Sequence, residues 1–110
     1  MDWKTTGKIL VLLSAICFST FSNADAVWID VRTLSEHNED HIEGDLLVPH
    51  GEIVQNVSDM FPDKSTEIHL YCRSGGRAGI ALEALEEAGY TNVSNAGGIE
   101  DAREKRGLNE

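Results

Sequence analysis

The sequence predicts a single α/β domain on a parallel sheet, and three observations predict it. Short apolar runs at residues 26–31, 45–48, 67–71 and 92–94 alternate with segments of helical period. Helix signals stand between the runs: a Thr33/Glu36 capping-box spacing and a stripe at Ala78, Ala81, Leu82, Leu85 and Ala88. The third run ends in Cys72-Arg-Ser-Gly-Gly-Arg77, a loop that opens a helix. Reactive side chains therefore sit at a strand's carboxyl end, where open parallel sheets bind ligands.

Taken in order, residues 26–31 (Ala-Val-Trp-Ile-Asp-Val) form a first strand buried on both faces. Thr33 caps a short helix over about 34–40, and Gly44 breaks the chain before a strand at 45–48 closed by Pro49. Ile53, Val57, Met60 and Phe61 share one face of a helix stopped by Pro62. Residues 62–66 turn into the third strand. The next helix covers 77–88, with Glu83, Glu86 and Glu87 as a solvated face and Gly89 as its stop. Residues 92–94 make a short last strand before Ala96-Gly-Gly-Ile99. There is no internal repeat, low-complexity stretch or linker, so residues 25–110 read as one domain with helices on both sheet faces.

The first residues read differently. Lys4 and Lys8 precede a mostly apolar run at 9–21, thirteen residues and too short to cross a bilayer at ~1.5 Å per residue. Ser22-Asn-Ala24 follows as a small-x-small site, so residues 1–24 are expected to be a secretory signal peptide. A second such site, Ala24-Asp-Ala26, would start the mature chain at Val27. Lipidation at Cys17 is excluded because Ile16 stands where a small residue is needed. Cleavage after Ala24 removes two lysines and one aspartate, moving the net charge from −10 to −11. A domain so acidic makes a poor partner for nucleic acid or an anionic membrane face. Any anionic substrate must then meet a local positive field set against the global one.

Cleavage also leaves Cys72 as the single cysteine, so no internal disulfide can form. A free cysteine is most often a small buried hydrophobe. Here the strand end, Gly75, Gly76, the helix start, Arg73 and Arg77 all favour a nucleophilic thiolate. Arg77 follows Cys72 by five positions, one short of the Cys-x5-Arg phosphate cradle, which argues against a phosphatase. No Cys-x-x-Cys exists for dithiol chemistry. Asp30 and Arg32 read first as a structural ion pair. His37 and His41 lack a third metal ligand at a recognisable spacing. His50 and His69 read as surface or packed residues.

The cysteine loop resembles the active-site loop of rhodaneses, the single-cysteine sulfurtransferases. Trp28-Ile-Asp-Val-Arg32, Glu36, His41-Ile-Glu-Gly44, Leu47-Val-Pro49, Gly89-Tyr-Thr-Asn-Val93 and Asn95-Ala-Gly-Gly98 extend the likeness over roughly residues 27–101. Brevity, leader and the segment at 95–101 look most like the small periplasmic rhodaneses of the phage-shock group. Ala102 stands where many members place a Trp, and the usual C-terminal helix is short or absent.

The resemblance implies a small rhodanese-like α/β domain that moves sulfane sulfur through a Cys72 persulfide. The donor would be thiosulfate or a similar small anion, and the thiophilic acceptor cyanide or a thiol. Cys72 is the expected catalytic residue, with Arg73, Ser74, Gly75, Gly76, Arg77 and Ala78 binding the substrate. No cofactor or metal is needed, and an exported periplasmic monomer without a stable membrane anchor is expected. The alternative is a persulfide carrier or redox-binding module that hands its sulfur to a protein partner.

Overall fold

The apolar runs pair into one parallel sheet. A computed structural model describes residues 26–108, so the expected leader at 1–24 lies outside the described residues. In chain order the elements are β1 (Val27–Asp30), α1 (Leu34–Glu39), β2 (Leu46–Leu47), α2 (Ile53–Met60), β3 (Ile68–Cys72), α3 (Gly76–Glu87), β4 (Val93–Gly98) and α4 (Ile99–Lys105). A 3-10 turn at His50–Glu52 leads into α2. The sheet order is β2-β1-β3-β4, with every pairing parallel. β3, which ends in Cys72, is therefore an inner strand held from both sides.

Strand alternation sorts the side chains between two faces. Ile29, Val31, Ile68, Leu70 and Cys72 join Ile53, Val57, Ala78, Ala81, Leu85 and Tyr90 in the larger core, under α2 and α3. Burying each large aliphatic side chain there contributes about 1.5–3 kcal/mol. On the other face Tyr71 meets Ile42, Ala96, Ile99 and Ala102, with Trp28 packed against the group. Both faces are covered, as the α/β reading requires. Among the described residues, no buried side-chain nitrogen or oxygen lacks a hydrogen-bond partner.

Local signals explain most boundaries. The Thr33 hydroxyl accepts from the Glu36 N–H at 3.2 Å, and Glu36 Oε1 accepts from the Thr33 N–H at 3.0 Å, a complete capping box. Gly89, at φ +102°, ends α3's last turn in the left-handed region. Three details depart from the sequence expectations. The second strand shrinks to two residues at the sheet edge, and Met60 is exposed although its spacing placed it on α2's apolar face. The last strand runs on to Gly98 and passes directly into α4, a seven-residue helix that closes the smaller core. Ala102, standing in place of a Trp, is completely buried there.

Candidate active site

Cys72 closes β3 and is buried, and the chain beyond it folds back over the sulfur. Gly75 makes this possible. Its φ of +106° lies in the left-handed region that side-chain-bearing residues rarely adopt, and it turns its N–H onto Cys72 Sγ at 2.9 Å. Gly75 is also the N-cap of the twelve-residue helix α3, so the helix's positive end faces the thiol. Burial pushes the Cys72 thiol up. The backbone N–H groups of Ala78, Gly75, Ser74 and Arg77 outweigh burial and leave it below the ordinary thiol value. Backbone amides rather than a neighbouring base thus stabilise the thiolate form.

The two loop arginines turn elsewhere. Arg77 meets Glu36 as a bidentate pair, Nη1 to Oε1 at 2.8 Å and Nη2 to Oε2 at 3.0 Å. Arg73 adds Nε and Nη2 contacts to Glu36 Oε2 at 3.2 and 3.0 Å. One carboxylate from α1 therefore grips both guanidinium groups, and Arg77, followed by Thr33, holds its carboxyl far below the usual value. The Glu36 partnership outranks the Cys72 thiolate among the influences that raise Arg77. Two cations and one anion leave a net single positive charge on this side of the loop, where Arg77 is within electrostatic reach of Cys72.

The opposite wall is β4, and it carries no charge. A β-carbon on Gly98 would run into the carbonyl oxygen of Arg73 and lie 3.0 Å from that carbonyl's carbon. Only a glycine lets the strand and the loop lie this close. Beside it Asn95 donates from Nδ2 to the Gly75 carbonyl at 3.0 Å and accepts the Gly97 N–H on Oδ1 at 2.8 Å.

Residues 19–105 match the profile of the rhodanese-like domain. This chain belongs to that family. Among its relatives is the thiosulfate sulfurtransferase PspE of Escherichia coli, 37% identical over 91 residues that make up 83% of this chain and 88% of that protein. The chloroplastic thiosulfate sulfurtransferase 16 of Arabidopsis thaliana is 33% identical, covering 74% of this chain and 76% of that one. A solved E. coli structure described as a rhodanese with anions superposes with a TM-score of 0.66 at 38% identity, over 70% of this chain and 91% of that chain.

Measured against the expected rhodanese site, the fold brings together Cys72, Arg73, Ser74, Gly75, Gly76, Arg77 and Ala78 in one loop and helix start. Asp30 and Arg32 form a buried pair, with Arg32 Nη2 to Asp30 Oδ2 at 2.8 Å. His37 donates from Nδ1 to Asp30 Oδ2 at 3.2 Å and stacks on His41, ring centroids 4.4 Å apart. His69 lies away from the loop, stacked on Trp28 and bonded to Ser94 and Glu67. No group of three or more His, Cys, Asp or Glu suited to a metal occurs among the described residues. The sequence marks Glu36 as a helix cap and as one position of the family likeness, and Asn95 as part of a family string. Their grip on the loop spans 37 and 20 residues of sequence, and no local pattern encodes it.

Proposed function

We propose that this rhodanese-like domain is a thiosulfate sulfurtransferase working through a persulfide on Cys72. The observation that carries the reading is the buried sulfur with the Gly75 N–H aimed at it and three further backbone N–H groups holding its anion. The thiolate attacks the outer sulfur of thiosulfate, and the S–S bond of the donor breaks with its electron pair leaving on sulfite. The product is Cys72–S–S⁻, whose charge now sits one atom further out. The amides that favoured the thiolate serve as fixed donors for that displaced charge, needing no reorganisation during the step. A thiophile such as cyanide then attacks the outer sulfur, carries it off as thiocyanate and returns the electron pair to Cys72. Splitting the transfer through a covalent enzyme predicts ping-pong kinetics.

Arg73 and Arg77 steer and orient the anionic donor, with Glu36 limiting the field they present. Similarity to PspE over most of both chains supports turnover of a small donor more than a pure carrier role. Export also belongs to this reading. Cleavage after Ala24 leaves Asp25 and Ala26 ahead of β1, whereas cleavage after Ala26 would trim the chain to the strand's first residue. In this reading the exported protein is a periplasmic monomer that begins at Asp25, and N-terminal sequencing of the exported fraction tests its start.

Steady-state kinetics with thiosulfate and cyanide test the chemistry. Parallel double-reciprocal lines are expected for the wild type, and no turnover for Cys72→Ser. Intersecting lines, or half the activity surviving in Cys72→Ser, would overturn the mechanism. Replacing cyanide by a dithiol acceptor, and thiosulfate by mercaptopyruvate, separates the donor and acceptor classes.

A further inference from the structure

The β4 wall does more than leave room for the loop. The pairing of β3 with β4 shifts register at one point: Leu70 faces Asn95, while Tyr71 faces Gly97, so Ala96 is an extra residue in β4. Such a bulge re-aims the side chains around it and is frequent beside active sites. The partner of Asn95 across the ladder, Leu70, belongs to the core face that α3 covers. Asn95 therefore lies on the same face, but solvent-exposed at its edge by the start of α3.

The surroundings of its amide are glycines. An added β-carbon would stand 3.8 Å from Asn95 Oδ1 at Gly75 and 3.5 Å from Nδ2 at Gly79, and Gly97 itself is at φ +97°. Within that space the side chain makes two bonds of opposite polarity, donating to the Gly75 carbonyl and accepting from the Gly97 N–H. An amide serves both at once with separate atoms, whereas a carboxylate has no proton to donate. The Gly75 carbonyl also accepts the Gly79 N–H at 2.9 Å, the first bond of α3. Gly75 is consequently fixed at its carbonyl by Asn95 and the helix, while its N–H bonds Cys72 Sγ.

We propose that Asn95 is a positioning residue for sulfur transfer, pinning the left-handed Gly75 so that its N–H stays on the sulfur of Cys72. A glycine at φ +106° has many other conformations open to it, and the tether removes them before substrate arrives. This inference rests on Cys72 being the sulfur carrier, and it adds a residue that touches neither donor nor acceptor. The charged groups of the loop, Arg73 and Arg77, turn their guanidinium groups to Glu36 on the α1 side, whereas Asn95 bonds Gly75 and Gly97.

The test uses the mature protein and two variants, Asn95→Ala and the isosteric Asn95→Asp. Its primary readout is the pH dependence of Cys72 alkylation by iodoacetamide, which needs no sulfur donor. Loss of the tether lets the Gly75 N–H stray, so the alkylation midpoint should rise by roughly half a pH unit to one unit in Asn95→Ala. It should rise further in Asn95→Asp, which loses the donor and adds a negative charge. With thiosulfate, kcat should fall about three- to tenfold in Asn95→Ala while KM stays near its wild-type value, because the arginines remain in place. Unchanged alkylation midpoints in both variants would overturn the proposal, whatever happens to turnover. A wild type that alkylates normally but takes no sulfur from thiosulfate would instead defeat the sulfurtransferase reading.

Discussion

The cysteine loop is held between two walls that work by different physics. On the α1 side a single carboxylate, Glu36, binds both loop arginines through four contacts between 2.8 and 3.2 Å. On the β4 side the contact is made by backbone on backbone, with Gly98 against the Arg73 carbonyl and one neutral amide from Asn95. The charged wall acts over distance, is screened by salt and tolerates small displacements. The glycine wall acts only at contact and tolerates nothing added. In the proposed mechanism chemistry and architecture are thereby separated: one wall would set the field that an anionic donor meets, and the other where the amides point.

That contrast is broken most severely by Gly98→Ala. Its methyl group has no space, and the atom in its way is the backbone of the cysteine loop itself, which must move. A displacement near 1 Å in a catalytic group costs on the order of a hundredfold in rate, so kcat/KM for thiosulfate should drop by about that factor. Circular dichroism would show a folded protein, because the sheet core beneath is untouched. Wild-type turnover in a folded Gly98→Ala protein would remove the steric wall from the account.

Next comes Arg77→Ala, which takes away the better-seated guanidinium. Losing a charge-assisted contact of about 1.5–3 kcal/mol should lower kcat/KM for thiosulfate roughly ten- to a hundredfold. The loss should shrink with added salt and be small for an uncharged sulfur donor. Equal losses for charged and uncharged donors would mean that Arg77 shapes the loop instead of greeting the anion.

A smaller effect sharpens the same distinction. Glutamine at position 36 can still cap α1, since the capping box accepts Glu or Gln, but it no longer neutralises the arginines. In Glu36→Gln the site gains positive charge, so KM for thiosulfate at low salt should fall about threefold, converging on the wild-type value at high salt. A rise in KM would show that Glu36 serves the arginines by orienting them.

The smallest expected change is in stability against acid. The Glu36 carboxyl is depressed far below its ordinary value of 4.5. Its contribution is therefore complete above that value and is lost as the pH falls through the lower folded-state pKa. Wild type should melt roughly a few degrees above Glu36→Gln at neutral pH, with the gap closing in strong acid. A gap that widens on acidification would contradict the assignment.

Much of the arrangement is legible in the sequence because its signals are local. Thr33 and Glu36 announce α1, the Ala78–Ala81–Leu85 stripe announces α3, and the glycines after Cys72 announce a tight loop at a strand end. What stays hidden is non-local or contrary to propensity. β4 carries Asn95, Ala96, Gly97 and Gly98, poor strand formers that pair only because β3 and the cysteine loop lie alongside them. α4 has just two buried apolar residues, Ile99 and Ala102, in seven. Its one local cue was Asp101, three residues after Gly98, whose carboxylate takes the Gly98 N–H at 2.8 Å. The double grip of Glu36 could not be read at all, because the chain must fold before α1 reaches the start of α3.

Whether the sulfur held between these walls becomes a persulfide is answered most directly by intact-mass and peptide mass spectrometry after treatment with thiosulfate. The account predicts one added sulfur atom, a gain of ~32 Da, located on Cys72 and removed by cyanide. A protein that turns over thiosulfate and cyanide with no such adduct on Cys72, at any donor concentration, would contradict it.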